Sequence, residues 1–212
     1  MPDPEPPSRP LRYLALGDSF TIGTGLADES QNFPSRLAHR LRECGLDVEL
    51  TNPAVNGYTT LDLIRHELPQ LEQVHPDLVS ILVGANDIVQ GRPLDDYRKS
   101  LREIYDAVAA LRLAPACVLS VSIPDWSAAP AAKEFGVAAD LRRQIDAFNG
   151  VAREESAARG FTFVDVAELS RSRAGEPGWL ADDALHPAAA QYAAWAEQLW
   201  PAVAHAWSQA RA

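Results

Sequence analysis

The sequence has no long hydrophobic run. Apolar residues make up 47% of the 212 positions, yet none of their runs approaches the roughly 18 residues that a membrane-spanning helix needs. The first seven residues, Met1-Pro-Asp-Pro-Glu-Pro-Pro, have neither the basic nor the apolar segment of a signal peptide. We therefore expect a cytoplasmic protein with no integral membrane association.

Basic residues are scarce, and several nucleotide-binding motifs are absent. Lys and Arg number 19 against 29 Asp and Glu, which gives a formal charge of -10. Such a chain repels phosphate backbones, so nucleic acid is not an expected partner. Neither GxGxxG nor GK[ST] occurs, so Gly17 and the later Gly23-Thr-Gly25 do not predict a dinucleotide site. The GxSxG elbow is also absent, which argues against the fold that carries it but not against a nucleophilic serine.

Cysteine is rare as well. Cys44 and Cys117 are the only two, far apart in the chain and each in an apolar context. No CxxC pair or zinc-binding spacing exists. We expect two buried free thiols that act as small apolar side chains.

The length fits one domain with a complete hydrophobic core. Residues 1–10 contain five prolines among charged and polar residues, a composition that buries too little apolar surface to become ordered. The sequence predicts a mobile tail over residues 1–10 and a single domain over residues 11–212.

Short apolar runs alternate with helical patterns from Arg12 onward, which is typical of a parallel sheet covered by helices on both faces. Five runs predict strands, at residues 13–16, 48–51, 78–83, 117–121 and 161–166. The expected class is α/β: a flavodoxin-like, three-layer α/β/α sandwich around a doubly wound parallel sheet of about five strands. Residues 123–136 and 167–185 fit no regular element, and Pro201 is expected to kink or end the last helix.

Polar residues follow the predicted strands, where open α/β sheets bind their ligands. After the first three strands and in the last long loop stand Asp18, Ser19, Asn56, Gly57, Asn86, Asp87, Asp183 and His186.

Three of these residues have the chemistry of a nucleophilic site. A serine hydroxyl needs a base, usually a histidine whose other nitrogen is held by a carboxylate. Ser19 is the candidate nucleophile, and His186 and Asp183 supply the base and its carboxylate. Because Pro187 favours the first position of a helix, His186 is expected at the N-cap of the last helix.

Acyl transfer also needs hydrogen-bond donors directed at the developing oxyanion. Three groups are available at the strand ends: the Ser19 amide, the Gly57 amide and the Asn86 side chain. Each residue alone is more often part of a turn, but their joint occurrence in this order favours a site.

Four blocks resemble the SGNH hydrolases, also called the GDSL family of esterases and lipases. They are Gly17-Asp18-Ser19-Phe20-Thr21, with Phe where the family often has Leu, then Asn52 to Thr60 around Gly57, Gly84-Ala-Asn86-Asp87, and Asp183-Ala-Leu-His186-Pro187. The resemblance covers residues from about 12 to 200. It implies a Ser19, His186 and Asp183 triad, an oxyanion hole of Ser19, Gly57 and Asn86, and no cofactor or metal.

The resemblance also implies a small-molecule ester as substrate. Three aromatic residues of the irregular stretches, Trp126, Phe135 and Trp179, are expected to line an apolar acyl pocket, which favours short to medium acyl chains. Carbohydrate acetylesterase and lysophospholipase or thioesterase activities of the same family stay open, as does the oligomeric state.

Two other classes of function stay open from the sequence alone. Asp18, Asp87, Asp183 and His186, with Asn86, could hold divalent metals for phosphoester hydrolysis, although only one histidine lies among these acids. A non-catalytic binding protein is the other alternative, yet it would be expected to lose a member of the constellation, and all members are present.

Overall fold

A single five-stranded sheet lies at the centre of the computed structural model, which describes residues 9–210. The strands are β1 (Leu11–Gly17), β2 (Val48–Thr51), β3 (Leu78–Leu82), β4 (Val118–Val121) and β5 (Thr162–Val164). All of them are parallel, in the order β2-β1-β3-β4-β5. Each strand coincides with a predicted run, and β3 is buried along its whole length, as a central strand should be.

Helices cover both faces of the sheet. They are α1 (Ser19–Ile22), α2 (Phe33–Glu43), α3 (Thr60–Asp62), α4 (Gln70–Val74), α5 (Ala85–Val89), α6 (Leu94–Ala109), α7 (Ala138–Arg159), α8 (Ala167–Ser172) and α9 (Ala189–Ser208). Because parallel connections are right-handed, the strand order places α2 on one face and α3, α6 and α7 on the other. Helix α9 packs on α2, and α6 packs on α7. The predicted three-layer α/β/α class is confirmed.

Helix α6 illustrates how the sequence directs this packing. Tyr97, Leu101, Ile104 and Val108 recur at intervals of three and four residues, and all four are buried. Their common stripe packs into the hydrophobic core, while charged residues occupy the opposite side of the helix.

Three local predictions need correction. Cys117 is buried, but Cys44 is exposed because it lies at the end of α2, beyond the last buried turn. Helix α9 does not end at Pro201 and runs on to Ser208, since its buried residues continue on both sides of the proline, whereas the alternative expectation of a kink at Pro201 stays a prediction. The stretches predicted as irregular contain a 3₁₀ helix at Pro130–Glu134 and the helix α8.

The described chain begins with an ion pair. Arg9, inside the segment predicted as a tail, donates two hydrogen bonds to Asp77, at 2.7 and 2.6 Å. Residues 1–8 lie outside the described residues. Among the helices formed by residues 9–210, none has the length and apolar character required to cross a bilayer.

Candidate active site

Ser19 lies in a tight turn directly after β1. It is the first residue of α1, and Asp18 caps that helix by accepting a hydrogen bond from the Phe20 amide on Oδ1 at 3.0 Å. A Cβ at Gly17 would lie 2.3 Å from the carbonyl oxygen of Leu82, so only glycine lets β1 approach β3 so closely here. The turn therefore fixes Ser19, which is 3% exposed, at the carboxyl end of the sheet.

Asp183 and His186 form a close pair in the last loop. Asp183 Oδ2 lies 2.6 Å from His186 Nδ1, and Asp183 Oδ1 accepts hydrogen bonds from the Leu185 and His186 amides at 2.9 Å each. Partial burial acts to raise the pKa of Asp183, but the bonds from the His186 ring and the two amides outweigh it, and the pKa lies below its ordinary value. Asp183 therefore stays ionised and orients the imidazole through Nδ1.

The loop that carries this pair folds back on itself. An antiparallel bridge joins Leu180 to Pro187, and the Ala181 amide donates to the His186 carbonyl at 2.8 Å. Helix α9 starts only at Ala189, so the prediction that His186 caps this helix is wrong. The bridge, not the helix terminus, sets the position of His186.

Ser19 and His186 line the same cavity, although the chain separates them widely. The cavity has a volume of about 140 Å³, and apolar side chains form most of its wall. Asn56 and Asn86 contribute the other polar groups, and the lining is completed by Phe20, Ala85, Val89, Trp126, Phe135 and Leu185. The structure thus brings the predicted nucleophile and base together at one apolar site.

Helix α9 holds the segment of Ser19 close to the segment of His186 beside this cavity. The buried Tyr192 hydroxyl donates to the Phe20 carbonyl at 3.0 Å. The Phe20 ring also contacts the His186 ring, with 5.5 Å between their centroids. Phe20 therefore contacts both α9 and His186.

Two of the three predicted oxyanion donors, the Asn86 side chain and the Gly57 amide, lie on neighbouring segments. Asn86 lies in the first turn of α5 and donates from Nδ2 to the Tyr58 carbonyl at 3.0 Å, which leaves the second hydrogen of the same amide for another acceptor. Gly57 is in the left-handed region, with φ of 87°. Its neighbour Asn56 lines the cavity, whereas Gly57 does not. The role of the Gly57 amide stays a prediction.

A buried ion pair that sequence reasoning missed joins these two segments. Asp87 accepts hydrogen bonds from the Thr60 amide at 2.9 Å, the Thr60 hydroxyl at 2.6 Å and Arg92 Nη1 at 2.5 Å. Asp87 is fully buried. The position of Asp87 directly after Asn86 indicated a residue close to the site. No sequence pattern indicated that Arg92 would be its partner.

The metal-site alternative depended on convergent carboxylates. Asp87 is instead bonded to Thr60 and Arg92, and Asp183 is bonded to His186. Within residues 9–210, no group of three or more His, Cys, Asp or Glu side chains is arranged to hold a metal ion.

The three aromatic residues predicted for the acyl pocket divide into two groups. Trp126 and Phe135 line the cavity and meet edge to face, with centroids 5.8 Å apart. Trp179 does not line it: the indole is 1% exposed and donates to the Ser170 carbonyl at 3.2 Å. The folded-back loop turns Trp179 towards α8, so its assignment to the pocket is wrong.

Comparison with known proteins identifies the family. The model of the GDSL-like Lipase/Acylhydrolase family matches residues 15–194, and the chain belongs to this family of ester-hydrolysing enzymes. The chain is 27% identical to esterase TesA of Pseudomonas aeruginosa over 193 residues, 89% of this chain and 85% of that protein. It is also 42% identical to an arylesterase of Vibrio mimicus over 83 residues, 39% of this chain and 40% of that protein.

Solved structures agree with this assignment. A crystal structure of TesA superimposes with a TM-score of 0.72 at 26% identity, covering 90% of this chain and 97% of that one. Axe2-W215I, an acetyl xylan esterase from Geobacillus stearothermophilus, gives 0.73 at 20% identity over 91% and 94% of the two chains. The second likeness shows the shared fold.

Proposed function

We propose that this chain is a serine esterase that works through an acyl-enzyme on Ser19. The observation that carries the proposal is that Ser19 and His186 line one and the same cavity. Asp183 Oδ2 lies 2.6 Å from Nδ1 of that histidine. Because Nδ1 is held by Asp183, Nε2 is the nitrogen left to accept the Ser19 proton.

The reaction has two halves. Ser19 Oγ bonds to the ester carbonyl carbon while His186 takes the hydroxyl proton, and the carbonyl oxygen becomes an oxyanion. The Ser19 amide, the Gly57 amide and the free N–H of Asn86 are the proposed donors to it. The ester bond then breaks, the alcohol leaves with the proton from His186, and water hydrolyses the acyl-enzyme by the same steps.

The cavity supports short to medium acyl chains. Its volume of about 140 Å³ is close to that of a roughly 150 Å³ apolar protein cavity known to bind benzene. The lining by Trp126, Phe135 and Val89 favours a hydrocarbon over a polar group. A small-molecule ester with an apolar acyl group is therefore the proposed substrate, and the cytoplasmic location stays a prediction that cell fractionation would test.

The test uses p-nitrophenyl butyrate and a serine-directed phosphonate. We expect hydrolysis by the wild-type protein, and a fall of kcat by at least about 10³-fold in Ser19→Ala and His186→Ala. Mass spectrometry should locate the phosphonate on Ser19. The matched controls are Ser172→Ala and His205→Ala. Both residues are exposed and lie outside the lining of the cavity, so these variants should keep wild-type activity. Full activity of folded Ser19→Ala would refute the proposal.

A further inference from the structure

Glu67 is a buried carboxylic acid that the mechanism above does not use. It is the last residue of a π-helix, Leu63–Glu67, which follows α3 directly. Its side chain reaches back under β1, where Oε2 accepts a hydrogen bond from the Gly17 amide at 2.8 Å. π-Helical turns are rare in proteins, and many of those that do occur lie at functional sites. Glu67 thus connects the segment after Gly57 with the residue two positions before Ser19.

Asp18 is the second buried acid at this turn. Both Asp18 and Glu67 are 0% exposed, and neither forms an ion pair with Lys, Arg or His within residues 9–210. The nearby Gly84 and Asp18 amides further favour the ionised form of Asp18, but one oxygen of each acid, Asp18 Oδ2 and Glu67 Oε1, is buried without a hydrogen bond. A buried carboxylate without such compensation is costly, and a retained proton removes the cost.

The acid–base properties of the pair agree with this geometry. Burial, with a smaller contribution from the charge of Asp87, raises the pKa of Asp18 to about 7. Burial, with a contribution from the charge of Asp18, raises the pKa of Glu67 to about 8. Because the charge of Asp18 disfavours the ionisation of Glu67, we treat the two groups as a pair whose protons are lost in sequence. Near neutral pH the pair therefore retains a proton.

Other titratable groups surround the pair. Asp87 acts on Asp18 and is itself paired with Arg92. The phenols of Tyr97 on α6 and Tyr192 on α9 have their pKa values raised by burial, with Asp18 contributing. On the segment of Glu67 itself, the charged or titratable neighbours are the exposed Arg65 and His66.

We propose that Glu67 is a positioning residue for acyl transfer at Ser19, and that the Glu67–Asp18 pair must keep one proton for the turn at residues 17–19 to hold its shape. This inference rests on the proposed function. A second buried charge would push the π-helix away from β1 and release the Gly17 amide. It would also place negative charge beside the Ser19 amide, where the oxyanion forms.

The pH dependence of kcat/KM tests the proposal. For p-nitrophenyl butyrate, the wild-type value should fall at alkaline pH as the pair loses its last proton, near pH 8. Glu67→Gln keeps an oxygen that can accept from the Gly17 amide but cannot ionise. We expect it to lose the alkaline fall and to keep kcat near pH 7 within about threefold of wild type, whereas Glu67→Ala should lower kcat by about tenfold with little change in KM.

The control is Glu72→Gln, an exposed acid on the neighbouring helix α4, which should keep the wild-type profile. An alkaline fall of equal midpoint in wild type and folded Glu67→Gln would overturn the proposal. If Glu67→Gln does not fold, Asp18→Asn replaces it, because asparagine still caps α1 and should also remove the fall.

A titration of the carboxyl groups in the wild-type protein tests the proposal without any variant. Carbon NMR of side-chain-labelled protein should show one glutamate carboxyl that titrates near pH 8, and titration of every glutamate below about pH 6 would overturn the inference. Failure of the proposed function looks different: wild type would then show no Ser19-dependent hydrolysis at any pH.

Discussion

At the scale of single residues, Asp87 joins two loops that contribute to the active site. Its carboxylate binds Thr60, three residues after Gly57, and Arg92, while the preceding residue is Asn86. The Arg92 side chain is 16% exposed. Removing the carboxylate would therefore leave a mostly buried guanidinium without its anion, which is strongly destabilising.

We predict that Asp87→Ala lowers the free energy of unfolding by about 3 kcal/mol and lowers kcat by at least about tenfold, because Asn86 and the Tyr58 carbonyl lose their common support. Urea unfolding followed by tryptophan fluorescence measures the first effect. The matched control is Asp96→Ala, which breaks an exposed pair with Lys99 and should cost less than about 1 kcal/mol. Equal losses in the two variants would contradict the role of Asp87.

Two glycines should respond to alanine in opposite ways. A Cβ at Gly17 would lie 2.1 Å from the Thr21 hydroxyl and 2.3 Å from the Leu82 carbonyl, so Gly17→Ala should cost at least about 3 kcal/mol. Gly150 lies inside α7 with nothing within 4 Å of its Cβ position. Gly150→Ala should stabilise the protein by about 0.5–1 kcal/mol, visible as a higher Tm in calorimetry. A lower Tm for Gly150→Ala would contradict this account.

At the scale of elements, the connection that follows β4 forms one wall of the cavity that Ser19 and His186 line. Trp126 from this connection is 5% exposed and closes the cavity, while Phe135 at its far end is 42% exposed. The buried indole, more than the exposed ring, should therefore limit the length of the acyl chain.

We predict that Trp126→Leu raises the kcat/KM ratio of p-nitrophenyl octanoate to butyrate by about tenfold or more, because the added space accepts further methylenes. Steady-state kinetics on esters of graded length measure it. Trp179→Phe is the control: this tryptophan lies outside the cavity, so the variant should leave the ratio unchanged. An unchanged ratio in Trp126→Leu would show that the acyl chain binds elsewhere.

Sequence reasoning succeeded where the pattern is local. The five strands followed from apolar runs, and the pairing of Asp183 with His186 followed from their three-residue spacing. It failed where a contact depends on how a loop folds back: Trp179 was placed in the cavity, and His186 at a helix cap. It could not predict the bond between Glu67 and Gly17 or the ion pair between Arg92 and Asp87. Both contacts depend on how separate segments pack together, which no local sequence pattern indicates.

At the scale of the whole molecule, raised and lowered carboxyl pKa values act on stability in different pH ranges. The pKa of Asp183 is lowered, so its contribution to stability is present above the unfolded value of about 4 and is lost as the pH falls below it. The pKa of Glu67 is raised from 4.5 to about 8, so the folded protein binds a proton that the unfolded chain releases. Its contribution is complete below pH 4.5 and is lost as the pH rises towards 8.

We predict that Glu67→Gln becomes more stable relative to wild type as the pH rises from about 5 to 8, by about 3 kcal/mol, and that the difference is constant above this range. Urea unfolding of both proteins at several pH values measures it, with Glu72→Gln as the exposed control. A difference that stays flat across this range would show that Glu67 is ionised in the folded protein at pH 5.

The bond from Tyr192 to the Phe20 carbonyl has a consequence for synthesis in the cell. Ser19 emerges from the ribosome long before His186 and before helix α9, which bonds to Phe20. A nascent chain that ends before α9 already holds both side chains but lacks the Tyr192 hydroxyl that anchors the residue after Ser19. Translation therefore has to pass α9 before the proposed triad can be assembled, and the onset of ester hydrolysis would report that α9 has packed.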